Sequence, residues 1–148
     1  MVRLASEEGW REPWAGEVLA LEAASFYPGM RYDADEYARR AAEPGSRFEL
    51  AWEADRLVGF CLATPDWRDP ALLFVDRLAV AREARGRGVA SALLARATAR
   101  PGFRGVTVTY DPRNATPVAL EAFYARRGFR ATRTTAECVW MERALAPR

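Results

Sequence analysis

Histidine, lysine, isoleucine and glutamine are absent from this 148-residue sequence, and asparagine occurs once, at Asn114. Without histidine there is no Ser-His-Asp triad and no Cys-His pair. Cys61 and Cys138 are the only thiols, too few soft ligands for a structural zinc site, so no metal is expected. Without lysine there is neither a side-chain Schiff base nor the lysine of a phosphate-binding P-loop. Any reaction must therefore run on carboxylates, Tyr, Ser, Thr, Cys, Arg and the backbone. The two cysteines sit far apart in strand-like apolar settings and read as small core residues of a reducing compartment. No apolar stretch reaches the roughly 20 residues of a membrane span, and Met1 to Trp10 lacks a basic-then-apolar signal pattern. A cytoplasmic protein with no membrane partner is expected.

All 22 basic residues are arginine, against 20 acidic ones, and the net charge of +2 is spread from Arg3 to Arg148. We read the exclusive use of arginine as coding bias. With no basic block, no nucleic-acid partner is expected. Half of the residues are hydrophobic and 28% are charged, the balance of a globular chain, and this length buries roughly 70% of its unfolded surface. We find no repeat, low-complexity segment or linker, so residues 1–148 read as a single domain.

The hydrophobic pattern predicts a short strand at Val2 to Leu4. A helix follows from Pro13 to Ser25, with Trp14, Val18, Leu21 and Ala24 or Ser25 on its apolar face. A second helix spans Asp33 to Ala42, with Asp33 as its cap. Phe48 to Glu53 and Leu57 to Ala63 read as a hairpin over Ala54-Asp55-Arg56, then a loop at Pro65 to Pro70 and a long strand from Ala71 to Val80. A third helix carries Val89, Leu93, Leu94 and Ala97 on one face. Val106 to Tyr110 is a strand, Asp111 to Ala115 a loop, and Thr116-Pro117 starts a helix that runs to Arg127 and ends at Gly128. Phe129 to Thr135 and Cys138 to Ala144 close the chain as strands. This order gives an α/β mixed sheet with helices on both faces.

Between the long strand and the third helix lies Arg85-Gly86-Arg87-Gly88-Val89-Ala90-Ser91. A glycine-rich turn that opens a helix gathers unsatisfied N–H groups at the positive end of the dipole, and a phosphate suits it. Gly86 and Gly88 allow backbone angles that a side chain would block, Ala90 keeps the turn small, Ser91 adds a hydroxyl, and Arg85 and Arg87 add charge. The turn alone is a weak signal, because glycine also serves conformation. It does not meet the dinucleotide pattern, since Ser91 stands where a third glycine would fall.

The turn resembles the signature of the GCN5-related N-acetyltransferase (GNAT) family, which has Arg or Gln, two residues, Gly, one residue, then Gly or Ala. Leu78-Ala79-Val80, Ala92-Leu93-Leu94, Phe123-Tyr124-Ala125-Arg126-Arg127-Gly128-Phe129 and Val139-Trp140-Met141-Glu142-Arg143 also look like family segments in family order, over about residues 45 to 145. The resemblance implies an acyl-CoA N-acyltransferase fold, a mostly antiparallel sheet splayed between the strand ends at Val80 and Tyr110. It implies acetyl-CoA as cosubstrate, with pantetheine held by the backbone of Leu78, Ala79 and Val80 and the pyrophosphate on the amides of residues 86 to 91. It further implies an N–H near Val80 that polarises the thioester carbonyl. Family members often carry Asn seven residues before the helix tyrosine. Pro117 stands there, and Asn114 is either its substitute or a turn residue.

Acetyl transfer to an amine needs a base for the nucleophile and an acid for the thiolate. The resemblance makes Tyr124 the acid; packing beside Leu120 is its structural alternative. Asp76 is the base candidate, because strict alternation places it in an apolar row with Leu72, Phe74, Leu78 and Val80, where an ion needs a partner or a task. An arginine partner is the alternative. Trp67, Phe26, Tyr27 and Tyr32 are candidates to line an acceptor pocket, and Asp33, Asp35, Glu36, Asp66 and Asp69 to attract a cationic amine. The leading expectation is direct transfer from acetyl-CoA to an amine of a small molecule or protein, in a ternary complex. The alternatives are a non-catalytic acyl-CoA sensor of the same fold and a phosphate-ligand binder outside the family. Oligomeric state, a homodimer included, is left open.

Overall fold

The elements follow the hydrophobic periodicity closely. In the computed structural model, which describes residues 1–26, 28–113 and 117–145 and the side chains of all of these except 117–119, they are β1 (Val2–Glu7), α1 (Trp14–Ser25), a 3-10 turn at Pro28–Met30, α2 (Ala34–Ala41), β2 (Arg47–Glu53), β3 (Arg56–Asp66), β4 (Asp69–Val80), a 3-10 turn at Arg82–Ala84, α3 (Val89–Thr98), β5 (Gly105–Tyr110), α4 (Pro117–Ala125), β6 (Arg130–Thr134) and β7 (Val139–Ala144). The strands form a seven-stranded sheet in the order β1-β2-β3-β4-β5-β7-β6. Pairs β1–β2, β2–β3, β5–β7 and β6–β7 are antiparallel and β4–β5 is parallel. Contacts divide the chain into two compact units, Met1–Thr64 with Arg77–Arg100 and Pro65–Asp76 with Pro101–Arg148.

In the first unit, alternation along β2 sends successive side chains to opposite faces. Phe48 meets the rings of Trp14 on α1 and Tyr37 on α2, while Glu49 accepts a hydrogen bond from Ser6 and an ion pair from Arg96 on α3. Helices therefore cover both faces. Helix α1 buries Trp14, Ala15, Val18, Leu21 and Glu22. Of the expected Ala24 or Ser25, Ala24 is exposed and Ser25 half-buried, and the last position of the buried face belongs to the carboxylate of Glu22. Helix α2 starts as predicted: the Asp33 carboxylate accepts from the Glu36 N–H at 2.9 Å. Helix α3 buries Val89, Leu93, Leu94 and Ala97, the predicted face, and Thr98 as well. It lies close over β3 at Gly59, where a Cβ would stand 3.1 Å from Leu93 Cδ1 and 3.2 Å from Val89 Cγ1.

In the second unit, β4 and β5 pair from Leu72 with Gly105 to Val75 with Val108, and β7 pairs β5 from Gly105 with Ala144 to Tyr110 with Val139. Gly128 ends the α4 segment at φ 87°, the left-handed conformation predicted for it. The expected loop at 65–70 shrinks to Trp67-Arg68, because β3 runs on to Asp66 and β4 begins at Asp69. Side chains meet the turn's local donors, so the ladder persists: Asp66 accepts from the Arg68 N–H at 2.8 Å and Asp69 from the Ala71 N–H at 3.1 Å. The first hairpin also tightens. Glu53 pairs with Arg56, leaving Ala54-Asp55 as the loop, with Ala54 at φ 53°. Cys61 is fully buried, and Cys138 is half-buried. Among the described residues no helix is long and apolar enough to cross a membrane.

Candidate functional site

Strand β4 is tied down where it ends. The Ala81 N–H donates to the Val58 carbonyl of β3 at 2.8 Å, and Arg85 Nε donates to the Val80 carbonyl at 3.0 Å. Arg85 thus closes the turn onto the strand. Gly86 and Gly88 both adopt φ 78°, a conformation that costs an L residue about 1–2 kcal/mol. Nothing lies within 4 Å of a Cβ built on either glycine. Conformation requires both glycines, and the space above them is open.

Gly88 is the N-cap of α3, and no side chain caps it. A helix's first turn leaves N–H groups without intrahelical acceptors, and the dipole adds positive potential there. The turn thus presents backbone donors to an anion at an open edge. Arg87 supplies less free charge than expected: its guanidinium holds Glu53 at 2.9 and 3.3 Å, and that bond keeps the Glu53 carboxyl below its ordinary range. Leu78 is half-buried, Ala79 and Val80 are buried, and all three lie on β4 before the turn.

Tyr124 lies near the end of α4, buried to 6% exposure, with its ring edge-on to Phe123 and to Phe129. Asp76 is buried, at 8% exposure. Asn114 and the Thr116 cap lie outside the described residues, as does Tyr27. At the end of β5 the Tyr110 hydroxyl reaches Glu121 on α4 at 3.4 Å. Burial, and then the Glu121 charge, push the Tyr110 phenol up from its ordinary value.

The residues proposed for an acceptor are mostly engaged elsewhere. Asp33 caps α2, Glu36 pairs with Arg39 and Arg40, and Asp69 pairs with Arg104. Asp66 accepts from Arg68 and, at 2.8 Å, from Thr107. Burial raises the Asp66 pKa, but these bonds outweigh it and hold the carboxyl below its ordinary value. The faces of Phe26 and Tyr32 carry the Arg77 guanidinium. Trp67, 85% exposed, projects from the β3–β4 hairpin.

The family model described as an acetyltransferase (GNAT) domain matches residues 44–131. The chain belongs to the GNAT family. Solved structures agree on the fold. An acetyltransferase from Thermus thermophilus superposes with a TM-score of 0.77 at 20% identity, covering 97% of each chain. The PaiA N-acetyltransferase from Thermoplasma acidophilum, solved with coenzyme A, gives 0.76 at 14% identity over 97% of this chain and 99% of its own. The ribosomal-protein-S18-alanine N-acetyltransferase from Escherichia coli gives 0.75 at 15% identity over 100% and 96%. No curated protein matches by sequence.

This GNAT chain also holds a buried polar cluster that periodicity overlooked. Glu22 is 1% exposed and accepts from the Tyr37 hydroxyl, from the Tyr32 N–H at 3.0 Å and from Arg77 Nε at 3.3 Å. One signal was available: Glu22 falls four residues after Val18, on the apolar face of α1, and Arg77 stands in an apolar strand.

Proposed function

We propose that this GNAT protein transfers the acetyl group of acetyl-CoA to an amine, both bound at once, and that residues 1–148 act as one cytoplasmic acetyltransferase domain. The observation that carries the reading is the uncapped start of α3 behind two left-handed glycines with open space above them, inside the segment that matches the family. In this reading the amides of residues 86 to 91 hold the pyrophosphate, with Arg85, Arg87 and Ser91 at its rim. The backbone of Leu78, Ala79 and Val80 holds pantetheine. An N–H near Val80 stabilises the oxyanion that develops on the thioester carbonyl. Much of the rate comes from holding amine and thioester together.

Asp76 takes the proton from the acceptor ammonium, directly or through water, and the neutral amine attacks the carbonyl carbon. The C–S bond then breaks as the carbonyl re-forms, Tyr124 gives its phenolic proton to the departing thiolate, and the proton left on the amide nitrogen passes through water to the Tyr124 phenolate, leaving a neutral amide and the thiol of coenzyme A. Asn114 is proposed as a further contact to the cosubstrate.

Thiol release monitored across a panel of amines tests the reaction. Release that depends on both an amine and acetyl-CoA supports transfer. Tight acetyl-CoA binding with no release from any amine replaces it by the sensor reading.

A further inference from the structure

Residues 26–33 link α1 to α2, and the side chain of Arg77 fastens this connector to β4. Arg77 is 9% exposed. Its Nε bonds Glu22 of α1 at 3.3 Å, and its terminal nitrogen bonds the Met30 carbonyl at 2.5 Å. Its guanidinium lies 4.5 Å from the Phe26 ring centre and 3.6 Å from that of Tyr32. Glu22 completes the fastening through the Tyr32 N–H and the Tyr37 hydroxyl of α2. The connector is therefore gripped at its start, its middle and its end.

A buried ion pair is a costly way to stabilise a fold, because an apolar pair of the same volume often does as well or better. What such a pair adds is a fixed geometry, since a fork held against two aromatic rings tolerates one arrangement. Arg77 also stands one residue before Leu78 and three before Val80. At about 3.3 Å per residue, the backbone of Arg77 stands within roughly 10 Å of the backbone proposed to hold the thioester.

We propose that Arg77 is a positioning residue: with Glu22 it locks the connector beside the thioester-binding end of β4, and the locked connector fixes the acceptor amine. The inference rests on the acetyl-transfer reading. The Tyr32 ring also lies 4.3 Å from the Arg40 guanidinium of α2, so two cations hold the end of the connector.

The test compares wild type with Arg77→Met, Arg77→Lys and Glu22→Gln, using acetyl-CoA and the best amine from the panel. Three readouts are needed: the acetyl-CoA Kd, the amine KM and hydrogen–deuterium exchange. Arg77→Met and Glu22→Gln should raise the amine KM tenfold or more, with the acetyl-CoA Kd within twofold. Amides of the described connector residues 28–33 should exchange at least tenfold faster, while those of α3 stay unchanged. Arg77→Lys, which keeps the charge but loses the fork, should fall between. An unchanged amine KM despite a loosened connector overturns the inference, as does a parallel loss of acetyl-CoA and amine binding with faster exchange in α3. Wild type that binds no acetyl-CoA, or releases thiol with no amine, overturns the reading beneath it and the inference with it.

Discussion

At Gly88 the backbone and the space around it make separate demands that two substitutions distinguish. Gly88→Ala meets no neighbour, because the space above is open, so its cost is that of a left-handed L residue, about 1–2 kcal/mol in chemical denaturation. Gly88→Glu adds bulk and a like charge where the pyrophosphate is proposed to sit. It should abolish acetyl-CoA binding in calorimetry while unfolding at a denaturant midpoint close to that of Gly88→Ala. Tyr124→Phe keeps the edge-on contacts to Phe123 and Phe129 and removes only the hydroxyl. Turnover should fall by about 10²-fold or more, the usual contribution of a positioned acid, with the acetyl-CoA Kd unchanged. Unchanged turnover would move the acid role away from Tyr124.

At the scale of elements, the turn depends on how α3 is docked. Leu93 is fully buried and lies against Gly59 of β3. Leu93→Ala should cost about 2–5 kcal/mol of stability and weaken acetyl-CoA binding with it, since the helix that presents the amides is loosened. The β3–β4 hairpin carries a pH signature. The Asp66 carboxyl is held below its ordinary value in the folded state, so its contribution is full above the unfolded pKa and fades as pH falls toward the folded one. Asp66→Asn should therefore lower the melting temperature at pH 7 and narrow the gap to wild type below about pH 4, near the ordinary aspartate value. A gap independent of pH would contradict this.

The sequence made α3 and the turn legible because glycine spacing and a clean apolar face both report backbone geometry. It misplaced the hairpin because Asp66 and Asp69 satisfy turn donors with their side chains, and proline near a strand end does not stop a ladder. It missed Glu22 because a pattern of apolar positions has no place for a carboxylate whose partners, Tyr37 and Arg77, lie 15 and 55 residues away. It offered acidic residues as acceptor guides because pairing with arginines such as Arg104 is invisible until the chain folds.

For the whole molecule, the family match over residues 44–131 and superpositions covering 97% or more of the chain agree on one fold. Identities of 14–20% carry no acceptor with them. The missing histidine and lysine leave carboxylates, Tyr, Ser, Thr, Cys and Arg as the side chains for proton transfer, and the proposed acid and base, Tyr124 and Asp76, are drawn from these. The most direct test of the central claim is calorimetric titration of the purified protein with acetyl-CoA, with ATP as control and Gly88→Glu alongside. The expected result is saturable one-to-one binding of acetyl-CoA, at least tenfold tighter than ATP and absent in the variant. No binding of acetyl-CoA, or equal binding of ATP, would contradict the account.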